Sequence, residues 1–147
     1  MACKRRTLLA LPLALAPWRG FAAEPEPLVI VAAGSPLREL QQAQVVAYFT
    51  GRQRALPNGE AVQPLDLPPE HPLRERFYRL LTGYNAAQMN SYWARLSFSG
   101  QMRPPLVMPS EAAMQRQLRE NPRAIGYLAR VPEDAGLRVL LALRAPA

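Results

Sequence analysis

The chain has 147 residues, 18 Lys+Arg against 11 Asp+Glu for a formal charge of +7, and is 49% hydrophobic, which excludes a disordered tail and fits one domain. A single cysteine and a single histidine exclude a disulfide framework and a His/Cys zinc centre. Sixteen prolines, about twice the usual ~5%, exclude coiled coils and favour short elements with frequent stops.

Lys4, Arg5 and Arg6 precede an apolar run from Thr7 to Pro17, and the small residues Gly20, Ala22 and Ala23 follow. This is the order of a secretory signal, and the run is shorter than the ~20 residues of a membrane span. Cleavage after Ala22 sets Gly20 three positions before the cut. Residues 1–22 are therefore expected to be removed, residues 23–147 to form the domain, and the product to be periplasmic. Cys3 precedes the apolar run and leaves with the signal, so it is no lipid anchor. Lys4, Arg5, Arg6 and Arg19 leave too, so 14 arginines remain against 11 acids, a net +3. These arginines alternate with acids, as in Arg74-Glu75-Arg76, which suits a solvated surface and not a nucleic-acid stripe.

In chain order, Leu28 to Ala32 is an apolar, β-branched run that reads as a strand buried on both faces, as in a parallel sheet. Gly34-Ser35-Pro36 turns the chain, and the spacing from Leu37 to Phe49 predicts a helix over about 37–50 with Gly51 beyond it. Pro57-Asn58-Gly59 is a turn. Residues 61–66 form a short strand, with Pro64 suggesting an edge or an early end. Pro68 to Pro72 is a rigid loop into a helix over 73–82, where Leu73, Phe77, Leu80 and Leu81 share a face. A second helix covers 86–96, with Met89, Trp93 and Leu96 at helical spacing. Residues 102–108 are extended. Ser110 caps a helix with Met114 and Leu118 inward, and 124–128 and 137–143 are strands. The alternation makes an α/β domain.

Catalytic signals are thin. His71 has no serine or cysteine in a nucleophile motif to serve, and there is no GxGxxG, Walker loop or HExxH, so neither an enzyme nor a cofactor is expected. One anion-binding feature stands out: the N-terminus of the 73–82 helix, with Arg74 and Arg76 in its first turn, lies just past a strand. Ser35, in the turn after the first strand, is expected on the same rim. Asp66, His71, Arg74 and Ser35 are the candidate oxyanion residues.

Several stretches in order carry a resemblance. They are Leu28–Ala32, Tyr48-Phe49-Thr50-Gly51, Leu56-Pro57-Asn58-Gly59, Leu65-Asp66, Leu73-Arg74-Glu75-Arg76-Phe77-Tyr78, Tyr92 to Gly100, and Asn121 to Tyr127. The chain resembles the phosphate-type substrate-binding proteins of ABC uptake systems, and most of all their small single-lobe exported relatives. The resemblance implies one lobe of a type 2 periplasmic-binding fold, a central mixed or parallel sheet flanked by helices. It also implies a non-catalytic protein that takes phosphate or another oxyanion and meets a membrane transporter or sensor. A single lobe leaves half of a solute in water, so a second copy or a partner would supply the missing wall. In the family, phosphate is gripped by an Arg, an Asp and a Ser-Gly-Thr run at a helix start. Asp66 matches the acid, no Arg precedes it, and Glu70-His71-Pro72 stands in place of Ser-Gly-Thr. The alternative is a lobe that kept the fold, lost the anion and serves as an interaction or sensory module.

Overall fold

A computed structural model describes residues 26–145; the expected signal, with Cys3, lies outside them. Among the described residues five strands and four helices follow in the order β1 (Leu28–Ala32), α1 (Gln42–Phe49), β2 (Gln63–Asp66), α2 (Pro72–Thr82), α3 (Ala86–Phe98), β3 (Leu106–Val107), α4 (Glu111–Glu120), β4 (Ala124–Leu128) and β5 (Leu137–Ala142). They form one mixed sheet in the order β3-β2-β4-β1-β5.

The sheet lies between two helical layers. Strand residues alternate between faces, and β4 shows both sides. Gly126 sits against Met114 and Leu118 of α4, while its neighbour Tyr127 stacks on Phe77 of α2, centroids 3.8 Å apart. Phe49 of α1 meets Phe77 edge-on at 4.8 Å. Among the described residues no helix is long and apolar enough to cross a membrane.

Three expectations are corrected. β1 is buried on both faces as expected, but it runs antiparallel to both neighbours, β4 and β5. Its continuous apolar pattern reflects helices on both faces, which does not depend on strand direction. β2 is an interior strand despite Pro64. Gln63 donates its N–H to the Arg123 carbonyl on the β4 side, so the Pro64 nitrogen faces the other way. There the β3 ladder begins only at Leu65–Leu106, and no hydrogen bond is lost.

The first helix is also shorter than its apolar spacing predicts. The Arg138 guanidinium donates to the carbonyl oxygens of Ser35 (3.1 Å) and Leu37 (2.9 Å), which a longer helix would need. The Gln41 N–H instead donates to Gln44 Oε1 at 2.8 Å. Leu37 and Leu40 still reach the core, but from a non-helical segment.

Candidate functional site

The polar centre of the domain lies at the carboxyl end of β2. Asp66, the last residue of that strand, is 3% exposed. Four donors converge on its carboxylate. Arg74 Nε and the Tyr78 hydroxyl donate to Oδ2, each at 3.0 Å. The Tyr127 hydroxyl donates to Oδ1 at 2.6 Å and the Leu67 N–H to the same oxygen at 2.8 Å. Arg74 and Tyr78 are one helical turn apart on α2, so both reach the strand end from one helix face. Tyr127 arrives from the neighbouring strand β4.

Arg74 is itself 4% exposed. Its Nη2 donates to Asn90 of α3 at 3.2 Å, and its guanidinium carbon lies 5.1 Å from the Tyr78 ring centroid. Only Nη1 is without an acceptor, and it is buried. Removing this pair from water is costly, and the dense set of charge-assisted bonds offsets that cost. Burial first, then the Asp66 charge, holds the Tyr78 and Tyr127 hydroxyls well above the usual 10.0, so both remain protonated donors.

His71 is the N-cap of α2. Its Nδ1 accepts the Leu73 N–H at 3.2 Å, which places the ring proton on Nε2. The helix start has no amide left over. Pro72 has no N–H, Leu73 donates to His71 Nδ1, and Arg74 donates to the His71 carbonyl at 3.0 Å. The anion-attracting terminus inferred from sequence is thus closed by the chain itself.

Asp66 and Arg74 are in direct contact, the His71 ring instead engages the Leu73 amide, and Ser35 stands apart. β2 and β4 are parallel and β1 is antiparallel to β4, so the turn after β1 lies at the opposite end of the sheet from Asp66. Ser35 is 1% exposed, and its Oγ accepts the Leu37 N–H at 3.2 Å. The shared rim is therefore corrected: strand direction decides which loops are neighbours. Tyr78 and Tyr127 are members of the site that sequence reasoning missed. The available signal was a core tyrosine on each apolar face, since a buried hydroxyl needs a partner.

Among the described residues no group of three or more His, Cys, Asp or Glu is placed to hold a metal ion.

No protein-family model matches the chain, and no curated protein matches it in sequence. Solved structures do. The chain is similar to an ABC-type phosphate transport receptor from Vibrio cholerae (TM-score 0.59, 14% identity), over 78% of this chain and 45% of that one. It is also similar to a structure described as a phosphate ABC transporter substrate-binding protein with bound phosphate from Clostridium perfringens (TM-score 0.63, 13% identity), over 78% and 44%. The chain thus shares the fold of these two neighbours over part of their length, and it spans less than half of either.

Proposed function

We propose that this chain, from Ala23 onward, is an exported, non-catalytic binding-protein lobe whose anion position is filled from within, and that it works through protein contacts as an interaction or sensory module. One observation carries the reading: the Asp66 carboxylate already engages Arg74, Tyr78, Tyr127 and the Leu67 amide. A solute oxyanion would find the donors of this centre already engaged by a covalently tethered anion. The one unengaged guanidinium nitrogen is buried, so no solute reaches it without opening the core. The partner in this reading is a membrane transporter or sensor protein.

The test is thermal unfolding at fixed ionic strength with phosphate, sulfate, molybdate and a chloride control. A site filled to about 100 times its Kd would add about 2.7 kcal/mol, so no shift is the expected result. Asp66→Ala supplies the positive control. Formate should restore part of that variant's stability by occupying the vacated donors, and should leave the wild type unchanged.

A second reading is weak oxyanion capture near His71 and Arg74. It is favoured by the likeness to a structure with bound phosphate. A rise with one oxyanion that vanishes in Arg74→Ala would establish it in place of the first.

A further inference from the structure

A groove of about 800 Å³ runs along the amino end of β2, between the α1–β2 loop and the chain entering β3. Tyr48, Trp93 and Met102 give it an apolar wall, Arg54 and Arg103 give it charge, and no Asp or Glu lines it. Arg54 donates one bond to the Gln101 carbonyl at 3.2 Å. Among the described residues neither arginine pairs with a carboxylate. The groove is therefore cationic without internal compensation, unlike the Asp66–Arg74 centre.

Its surroundings decide the size of the occupant. Phe98, two residues before the groove-lining Gly100, is 97% exposed, and Leu106 and Val107 are 46% and 51% exposed. A small anion would satisfy the arginines and leave all three apolar side chains in water. A longer segment covers both, and burying such anchors is where interfaces gain most of their energy.

The sheet edge supplies direction. Among the described residues β3 is an edge strand of the sheet and pairs only with β2. Met108 donates its N–H to the Asp66 carbonyl at 2.8 Å, so by strand alternation the Val107 N–H and C=O point away from β2. They are open to an added strand. Pro104 and Pro105 keep this edge short, so indiscriminate sheet extension is suppressed.

We infer that this groove and the β3 edge dock an extended acidic segment of a partner protein, with carboxylates at Arg54 and Arg103 and apolar side chains against Phe98 and Leu106. The inference rests on the interaction-module reading and gives that partner its chemistry.

The experiment is selection of random dodecapeptides against the chain from Ala23 onward, followed by titration of synthetic winners. Trp93 is the only tryptophan beyond Ala23 and reports occupancy by its fluorescence. Winners should be rich in Asp and Glu alternating with apolar residues. Their affinity should fall about tenfold or more in Arg54→Ala/Arg103→Ala, and again in Phe98→Ser. These positions are exposed, so unchanged melting temperatures should certify the fold. A selection that yields no binders, winners without acidic enrichment, or affinities untouched by the double substitution would each overturn the proposal. The oxyanion melts judge the other reading separately. A shift lost in Arg74→Ala would refute the module reading, whereas a failed selection with no oxyanion shift would refute only this groove.

Discussion

Asp66→Asn exchanges a carboxylate oxygen for an amide and leaves the Arg74 guanidinium, 4% exposed, without a countercharge. Breaking one side of a buried pair is expected to cost about 3–5 kcal/mol in urea unfolding. Asp66→Asn/Arg74→Met should recover part of that loss, because it removes the stranded charge. An additive double variant would mean that the pair is uncoupled. The tyrosines give the site its pH dependence. A raised folded pKa means that the native state keeps protons the unfolded chain releases, so this stability is full below about 10. It is lost as pH rises through the folded values of Tyr78 and Tyr127. Unfolding titrations between pH 8.5 and 11 should show stability falling, and Tyr127→Phe should flatten the slope. Asp66 and Arg74 were legible from sequence because a loop-to-helix boundary and its charges lie in one short stretch. Their burial was not, because Tyr127 reaches Asp66 across 61 residues and only the strand register brings it there.

Elements with local causes were legible; those set by distant residues were not. Ser110 caps α4 as expected, accepting the Ala113 N–H at 3.1 Å, and Gly83 ends α2 with φ of 77°. The start of α1 was misplaced because Arg138, about a hundred residues away, takes the carbonyls. At α2 the cap is a histidine, and His71→Ala should cost about 1 kcal/mol while His71→Ser should cost less; equal losses would show that the ring acts through packing alone. Packing of α4 on the sheet depends on Gly126, where a Cβ would lie 2.9 Å from the Met114 sulfur and 3.3 Å from Leu118 Cδ1. Gly126→Ala should destabilise by about 1–3 kcal/mol. Met114→Ala in that background should cost less than it does alone, since the two changes relieve one crowded contact.

For the molecule as a whole, the α/β class followed from the alternation of apolar periods, and the binding-protein fold from ordered short stretches. The chain covers less than half of its structural neighbours. One feature of the sheet also governs when it can form. β1 lies inside the sheet, yet both its partners, β4 and β5, are the last two strands in sequence. Closing that loop is the main entropic barrier. Refolding followed by Trp93 fluorescence should therefore fall in the millisecond-to-second range, and a microsecond phase carrying the full amplitude would contradict it. The first strand to emerge waits for the last, so the core cannot lock until nearly the whole chain has been made.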